Sequence, residues 1–220
     1  MSKPMKIFVA ESEDHVSGTL VMPNDSTCLL VLGHGAGAGM HHPFMESIAA
    51  KLSDVGVATL RYQFPYMEKD RRRPDSRATL LATVRAAVKV ANDQAGPLPL
   101  FAGGKSMGGR MTSLAASEAV LPGVQGIVFV GFPLHPVGKP STSRGDHLDA
   151  IALPILFLQG TRDRLADLDL LRPVCDRLGE RATLHIVDKA DHSFHVLKRS
   201  GRTDDEVLKE LAEQIRAWST

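Results

Sequence analysis

Two kinds of hydrophobic pattern alternate along this chain: short runs in which nearly every residue is apolar, and longer stretches with helical apolar spacing. Short apolar runs are typical of strands that are buried on both faces of a sheet. On this basis we predict eight strands, at residues 6–9, 17–22, 28–32, 57–60, 98–102, 126–130, 155–159 and 183–187.

The longer stretches predict helices. Apolar residues recur at helical spacing in four segments, at 43–55, 76–92, 111–120 and around 168–178. Gly56 and Gly179 follow the first and the last of these and are typical C-terminal stops. A final helix is predicted to begin at Thr203, because Thr203 and Glu206 have the spacing of a capping box.

The order of these elements predicts the fold class. Strands that alternate with helices favour an α/β architecture with a mostly parallel sheet and helices on both faces. The chain has no internal repeat or linker, so one domain is expected over residues 1–220. The longest irregular stretch, 131–149, follows a strand and is therefore expected at the carboxyl edge of the sheet, where such folds bind ligands.

Composition excludes several function classes. The formal net charge is +1 and aromatic residues make up 5% of the chain, which argues against nucleic acid as a partner. No run reaches the length of about 18 apolar residues that spans a bilayer, and the N-terminus lacks the apolar core of a signal peptide. Cys28 and Cys175 are expected as core residues of a cytoplasmic protein rather than as a disulfide. The oligomeric state is left open.

The pentapeptide GKSMG at 104–108 lies between a predicted strand and a predicted helix. This pattern is typical of a nucleophile elbow, in which a serine on a sharp turn presents its hydroxyl above the edge of the sheet. Gly104 and Gly108 fit such a turn, because side chains there would collide with the neighbouring strand and helix. Ser106 is therefore the candidate nucleophile.

A serine nucleophile needs a base to take its proton and an acid to orient that base. In sheets that carry such an elbow, the acid and the histidine follow the serine along the chain, each beyond a later strand. Asp163 and His192 occupy these positions. Taken alone, Asp163 could be a turn cap and His192 a surface histidine, but their common placement favours a triad. Three other residues lie nearby along the chain and could take these roles. Asp167 and Asp169 are expected on the next helix, and His195 lies about one helical turn beyond His192.

A second glycine-rich segment, GHGAGAG at 33–39, follows the strand at 28–32. The negative oxygen that develops during acyl transfer needs N–H donors, and this loop and the residue after the serine are the expected sources. The predicted oxyanion hole consists of the amides of Met107 and of Gly35 or Ala36. A phosphate-binding loop and a flexible turn are the alternatives, although the spacing matches neither phosphate-loop motif.

The histidine inside this loop, His34, is not expected to act in catalysis. His34 is expected to form a hydrogen bond within the loop. His41 and His42 are adjacent, but no third ligand is placed beside them, so they are weak evidence for a metal. The predicted chemistry needs no metal and no organic cofactor.

Four segments resemble one family of hydrolase-like proteins: GHGAGAGMHHPFM at 33–45, RYQFPYMEKDRRRPD at 61–75, GGKSMGGR at 103–110 and DHSF at 191–194. The family belongs to the α/β-hydrolase superfamily and is related to dienelactone hydrolases. It groups a testis-expressed hydrolase-like protein with a regulatory subunit of the non-specific-lethal chromatin complex and many small bacterial proteins. The resemblance spans nearly the whole chain. It implies an eight-stranded α/β-hydrolase fold and a Ser106–Asp163–His192 triad. Dienelactone hydrolases use a cysteine in the place of Ser106, so their lactone chemistry is not implied.

Residues that follow the predicted strands are candidates for the walls of a substrate pocket. The candidates are Tyr62, Phe64, Tyr66, Phe132, Leu134 and His135. They would suit an acyl or aromatic group, although packing between loops is an equally good explanation. Arg71, Arg72 and Arg73 could attract a carboxylate or phosphate of the substrate, or form a solvated basic loop. No large lid insertion is visible.

Together these features predict a serine hydrolase that cleaves a carboxylic ester or thioester of a small molecule, its only predicted partner. The same machinery cleaves amides, so a small-peptide hydrolase is an alternative. A non-catalytic scaffold in a larger complex is another, suggested by the chromatin-complex relative. The three predicted triad residues argue against the scaffold.

Overall fold

The computed structural model describes residues 2–220, which form a central sheet of eight strands. The strands are β1 Ser2–Val9, β2 Asp14–Val21, β3 Cys28–Gly33, β4 Val57–Tyr62, β5 Leu100–Lys105, β6 Val124–Val130, β7 Ile155–Gly160 and β8 Ala182–Val187. Their order in the sheet is β1-β2-β4-β3-β5-β6-β7-β8. Only β2 pairs antiparallel with its neighbours β1 and β4, and the other pairs are parallel. The predicted mostly parallel sheet is confirmed.

Six α-helices connect and cover these strands: α1 Pro43–Asp54, α2 Pro65–Glu68, α3 Arg77–Ala95, α4 Met107–Glu118, α5 Leu168–Leu178 and α6 Asp204–Trp218. The predicted capping box of α6 is confirmed. The Thr203 side chain accepts from the Glu206 amide at 3.2 Å, and the Glu206 carboxylate accepts from the Thr203 amide at 2.7 Å.

The core lies on both faces of the sheet because successive strand residues point to opposite sides. In β3, Leu29 and Val31 pack against the face that α3 and α4 cover. Leu30 and Leu32 pack against the opposite face, where α1 and α6 lie. A third cluster lies between α5 and the β6–β7 part of the sheet.

The elements around the GKSMG pentapeptide are longer than the sequence predicts. β5 continues to Lys105 and α4 begins at Met107, so a single residue, Ser106, joins them. Glycine disfavours both strands and helices, and this hides the junction in a pattern based on propensity. Tertiary packing overrides that local preference here.

Besides three 3-10 helices of three residues each, two longer elements were not predicted. Residues Pro65–Glu68 form α2, and Ser143–Ala150 form a 3-10 helix inside the stretch predicted as irregular. Both are too short or too polar to show apolar periodicity.

The parallel arrangement brings the carboxyl ends of β5, β7 and β8 to one edge of the sheet. Ser106 follows β5, Asp163 follows β7 and His192 follows β8. Among residues 2–220, no helix combines the length and the apolar character that crossing a membrane requires.

Candidate active site

Ser106 forms a strained turn between β5 and α4. Its backbone angles are φ 50° and ψ −112°, a conformation that residues with a side chain rarely adopt and that costs about 1–3 kcal/mol. The surrounding backbone fixes the turn: the Ser106 N–H donates to the Val130 carbonyl at 3.1 Å, and the Arg110 N–H donates to the Ser106 carbonyl at 3.1 Å. Such a turn exposes the hydroxyl at the edge of the sheet.

The flanking glycines are required by the close approach of β3. A Cβ atom at Gly104 would lie 2.3 Å from the Gly33 carbonyl oxygen, and one at Gly108 would also lie 2.3 Å from that oxygen. Neither backbone group can give way without moving a central strand. The sequence therefore has glycine on both sides of Ser106 for steric reasons.

Ser106, His192 and Asp163 form a continuous hydrogen-bonded row. His192 Nε2 lies 2.9 Å from Ser106 Oγ, and His192 Nδ1 lies 2.6 Å from Asp163 Oδ2. A carboxylate only accepts hydrogen bonds, so it selects the imidazole tautomer with the proton on Nδ1. The lone pair of Nε2 then faces the Ser106 hydroxyl.

Asp163 is held rigidly, with its side chain 1% exposed. Its Oδ1 accepts from the Leu165 N–H at 2.8 Å, and its Oδ2 accepts from the Gln159 amide nitrogen at 2.5 Å. Gln159 is itself oriented, because its oxygen accepts from the Phe132 N–H at 3.0 Å. The Gln159 contact was not predicted, although a polar residue at the end of the apolar strand β7 was a visible signal.

Two of the three rival residues, Asp167 and His195, have partners of their own. Asp167 caps α5 by accepting from the Asp169 N–H at 3.0 Å. His195 is exposed and lies 2.8 Å from Asp204, whose carboxylate raises the pKa of His195. Neither contacts Ser106 or His192 through a hydrogen bond in the part of the chain that the structure describes.

A second serine–histidine pair lies nearby but is enclosed. Ser113 Oγ lies 2.7 Å from His147 Nε2, yet Ser113 is a fully buried residue inside α4. Its hydroxyl also donates to the Arg110 carbonyl at 3.0 Å. Burial and the neighbouring Arg110 and Arg77 lower the pKa of His147 to about 4. This pair ties α4 to the 3-10 helix and has no access to a substrate.

The glycine loop after β3 is shaped by the buried His34. Its Nδ1 donates to the Gly35 carbonyl at 2.7 Å, and its Nε2 accepts from the Phe64 N–H at 3.2 Å. Burial lowers the pKa of His34 to about 4, so the ring is neutral near pH 7. Because N–H and C=O point in opposite directions across a trans peptide, this bond turns the Ala36 N–H away from His34.

The amide groups near Ser106 differ in their availability. The Gly37 N–H already donates to the Tyr66 hydroxyl at 2.8 Å. Met107 is the first residue of α4, and the first amides of a helix have no partner within it. Gly35 and Ala36 line the cavity beside Ser106.

That cavity has a volume of about 340 Å³ and is mainly apolar. Its lining residues are Gly35, Ala36, Ala38, His42, Phe44, Met45, Lys105, Ser106, Leu165, His192 and Ser193. Most of them come from the segment around α1 and from the loop after β8. Ser106 and His192 therefore share one cavity.

The six residues predicted to wall the pocket do not line this cavity, which corrects that expectation. Tyr62, Phe64 and Tyr66 are fully buried in the core, and α2 turns Tyr66 inward. Phe132 and Leu134 lie in the cluster beneath α5. His135 lies in the loop after β6, and its Nε2 accepts a hydrogen bond from the Asp167 N–H at 2.9 Å. Aromatic residues after a strand could equally pack inward, and they do.

Lys105 was missed by the sequence analysis. It is 9% exposed, and its ammonium group donates to the His192 carbonyl oxygen at 2.6 Å. Burial lowers its pKa to about 8, while the carboxylates of Asp163 and Asp191 act in the opposite direction. A charged residue at the end of an apolar strand, next to the candidate nucleophile, was the available signal.

The remaining candidates lie outside the cavity or have other partners. Arg71 pairs with Asp75 at 2.5 Å, and Arg72 and Arg73 are exposed. His41 contacts Glu46 at 3.2 Å. The His42 ring accepts from the Phe44 N–H at 3.2 Å and so caps α1. Within residues 2–220, no group of three or more His, Cys, Asp and Glu residues is arranged to hold a metal ion.

Solved structures support the same fold. A dienelactone hydrolase from Anabaena variabilis has a TM-score of 0.76 and 22% identity, with 99% of this chain and 96% of that chain covered. An α/β serine hydrolase without lid from Xanthomonas campestris has a TM-score of 0.73 and 20% identity, covering 99% and 94%. At such identities the likeness establishes the fold, and the predicted α/β-hydrolase fold is confirmed.

Sequence comparison gives the family. A Mycobacterium tuberculosis protein named "Putative phosphoribosyl transferase" is 27% identical over 184 residues, which is 81% of this chain. This chain matches only 39% of the length of that relative. The model of the alpha/beta hydrolase domain matches residues 26–220, nearly the whole chain. With its fold and with Ser106 at the edge of the sheet, this chain belongs to the alpha/beta hydrolase domain family.

Proposed function

We propose that this chain is a serine hydrolase that cleaves a small carboxylic ester or thioester through an acyl-enzyme on Ser106. The observation that carries the proposal is the row of hydrogen bonds from Ser106 through His192 to Asp163, at 2.9 and 2.6 Å, beside a cavity. A buried carboxylate behind an imidazole whose lone pair faces a hydroxyl is the arrangement that activates serine.

The first half of the reaction transfers the acyl group. Ser106 Oγ attacks the carbonyl carbon while His192 Nε2 accepts the hydroxyl proton. The bond between that carbon and the leaving oxygen or sulfur then breaks, and the leaving group takes the proton from His192. Asp163 stabilises the imidazolium and holds the ring in place. Water repeats these steps on the acyl-enzyme, which releases the acid and restores Ser106.

The tetrahedral intermediate needs donors for its negative oxygen. We assign this role to the amides of Met107 and Ala36, with Gly35 as the other loop candidate. The contact between His34 and the Gly35 carbonyl supports Ala36, because it directs the Ala36 N–H away from the buried histidine. Gly37 is less suitable, because its amide already has Tyr66 as a partner.

The cavity supports a small substrate. Its volume of about 340 Å³ is at the lower end of the range of ligand pockets, and apolar residues predominate in its lining. A short acyl chain or one aromatic ring fits such a space. The substrate is the proposed partner, and the proposed steps need no cofactor.

The finer family assignment remains a proposal, namely the group of the testis-expressed hydrolase-like protein. It is supported by where the matching segments lie. The segment 33–45 supplies more than half of the cavity lining, 103–110 forms the Ser106 turn, and 191–194 carries the base. A cytoplasmic location is likewise proposed, and the two free, buried cysteines agree with a reducing compartment.

A substrate panel tests this proposal. Esters, thioesters and amides with matched acyl groups of graded size would be compared by kcat/KM, together with labelling by a fluorophosphonate. We expect hydrolysis of small esters or thioesters and covalent labelling of Ser106. Higher kcat/KM for amides would favour the small-peptide hydrolase. A folded protein that neither reacts with the probe nor hydrolyses any substrate would favour the scaffold.

A further inference from the structure

Lys105, the last residue of β5, connects this strand to the loop that carries His192. Its ammonium nitrogen lies 2.6 Å from the main-chain oxygen of His192, and the side chain is almost fully buried. A hydrogen bond from a charged donor is shorter and stronger than one between neutral groups. The bond therefore fixes the backbone of the proposed base from the residue next to the nucleophile.

The surroundings are built to hold a cation at this point. The ammonium group lies 5.8 Å from the ring centroid of Phe44 and 5.6 Å from that of Phe194, within the range of cation–π attraction. A Cβ at Gly131 would lie 3.2 Å from Lys105 Nζ and 3.5 Å from the His192 ring. The absence of a side chain at residue 131 thus leaves room for both groups.

The loop that carries His192 needs such support because parts of its backbone are strained. Lys189 and Phe194 have positive φ values of 58° and 61°, although neither is glycine. Strained backbone persists where surrounding contacts determine it. Asp191 supplies local contacts by accepting from the Ser193 and His195 amides at 2.8 and 3.1 Å. None of these local bonds reaches β5, the strand directly before the nucleophile, whereas the Lys105 bond does.

We propose that Lys105 is a positioning residue, whose ammonium group holds the His192 carbonyl so that the imidazole stays between Ser106 and Asp163. This inference rests on the proposed function, because it assigns a task within the same site. Lys105 does not touch the hydroxyl or the carboxylate through a hydrogen bond; it acts through the backbone of His192.

Substitution by an apolar residue of similar length tests this role. Lys105→Met removes the donor and keeps most of the volume next to Phe44 and Phe194. The matched control is Lys189→Met, the same change at an exposed lysine in the loop that carries His192. We expect Lys105→Met to lower kcat by about 10- to 100-fold with little change in KM, since misplacing a catalytic group by about 1 Å costs on this order. We expect Lys189→Met to keep wild-type kinetics.

Lys105 also lines the cavity, so its alternative role is to bind an anionic substrate directly. That role would raise KM for substrates with a carboxylate and spare neutral esters. Such a result, or wild-type kcat in Lys105→Met, would overturn the positioning role. Slower labelling of Ser106 by the neutral fluorophosphonate in Lys105→Met would support it, because the probe also requires an activated hydroxyl.

A pH profile separates positioning from a merely structural role. The charged and titratable groups around the ammonium are Asp163 after β7, Asp191 and His192 after β8, and His42, which lines the same cavity. Burial lowers the pKa of Lys105 from 10.5 to about 8. We expect kcat of the wild type to fall above about pH 8, as the charge-assisted bond weakens, and Lys105→Met to lack this alkaline decline.

The contribution of Lys105 to protein stability should change with pH in the opposite direction to kcat. Between pH 8 and 10.5 the unfolded chain binds more protons at Lys105 than the folded protein does. The contribution of Lys105 to the free energy of unfolding therefore rises with pH over this window. As pH rises from 8 to 10.5, a falling kcat of the wild type, together with a growing difference in unfolding free energy between wild type and Lys105→Met, supports positioning. A kcat that rises with this stability contribution contradicts it.

Failure of this inference and failure of the proposed function are distinguishable. Wild-type protein that hydrolyses esters while Lys105→Met does so equally well refutes only the role of Lys105. Folded wild-type protein that is inert towards every ester, thioester, amide and probe refutes the proposed function, and the positioning role with it. Thermal unfolding of each variant establishes that the comparison is made between folded proteins.

Discussion

Within residues 2–220, two serine–histidine pairs have similar hydrogen bonds and different surroundings. Ser106 and His192 are 2.9 Å apart, and Ser113 and His147 are 2.7 Å apart. The shorter contact belongs to the buried serine in the middle of α4. A serine–histidine distance alone therefore does not identify a nucleophile.

What separates the pairs is the environment of each partner. Ser106 lies on a one-residue turn that lines a cavity, and its histidine is backed by the buried Asp163. Ser113 is 0% exposed, and its hydroxyl is shared with a helix carbonyl. Access, backbone strain and an orienting carboxylate distinguish the proposed catalytic pair from the structural one.

Removal of the serine hydroxyl should give the largest effect on kcat, and the effect should differ greatly between Ser106 and Ser113. We expect Ser106→Ala to lower kcat for an activated ester by about 10⁴- to 10⁶-fold, because the nucleophile is lost. Ser113→Ala should leave kcat within about twofold and reduce stability by about 1 kcal/mol, the usual worth of one hydrogen bond. Steady-state kinetics and denaturant unfolding measure both. Equal activity of Ser106→Ala and wild type would remove the distinction.

Substitution of Asp163, the proposed orienting acid, should give the second-largest loss of kcat. We expect Asp163→Asn to lower kcat by about 10⁴-fold, because an amide that donates to Nδ1 favours the wrong imidazole tautomer. Asp167→Asn is the matched control, since that carboxylate caps α5 and should affect stability alone. Comparable losses of kcat in the two variants would argue against Asp163 as the orienting acid.

The backbone of the Ser106 turn can be tested through its glycines. We expect Gly108→Ala to destabilise the fold by about 1–3 kcal/mol, because the new methyl group would meet the Gly33 carbonyl. At Gly35 the nearest atom to an added Cβ is 3.7 Å away, so Gly35→Ala should change stability by less than about 0.5 kcal/mol. Unfolding by urea gives both values. Equal stability of the two variants would mean that the strands are not as close as described.

The last expected effect concerns the pair Ser113–His147 and the loss of stability at acid pH. His147 has a folded pKa lowered to about 4 against 6.5 for the unfolded chain, so the unfolded state binds more protons between these values. Its contribution to stability is therefore lost as pH falls from 6.5 to 4. We expect His147→Gln to show a shallower loss of unfolding free energy over this range. Buried His34 should still add to the slope in both proteins. An unchanged slope would contradict the lowered pKa of His147.

The sequence predicted the sheet well, because apolar runs record burial on both faces of strands such as β3 and β7. The sequence motif also anticipated the glycines around Ser106, since a strand-to-helix turn of this kind is crowded by a neighbouring strand, here β3. Strand order then brings Ser106, Asp163 and His192 together at one edge of the sheet.

The cavity wall could not be predicted in the same way. Tyr62 and Tyr66 lie at and just beyond the carboxyl end of β4, yet the direction of each side chain depends on the unpredicted helix α2 and on core packing. Lys105 and Gln159 act through contacts with residues 87 and 4 positions away, His192 and Asp163. The pairing of Lys105 with His192 joins two distant segments, and that of Gln159 with Asp163 depends on the turn after β7, so hydrophobic periodicity predicts neither.

Trapping the acyl-enzyme tests the central claim most directly. The protein would be mixed with a slowly deacylated aryl ester, quenched in acid, digested and examined by peptide mass spectrometry. The account predicts one added acyl group, on the peptide that contains Ser106, and its absence from Ser106→Ala. An acyl group on Ser113, or ester hydrolysis by Ser106→Ala at the wild-type rate, would contradict it.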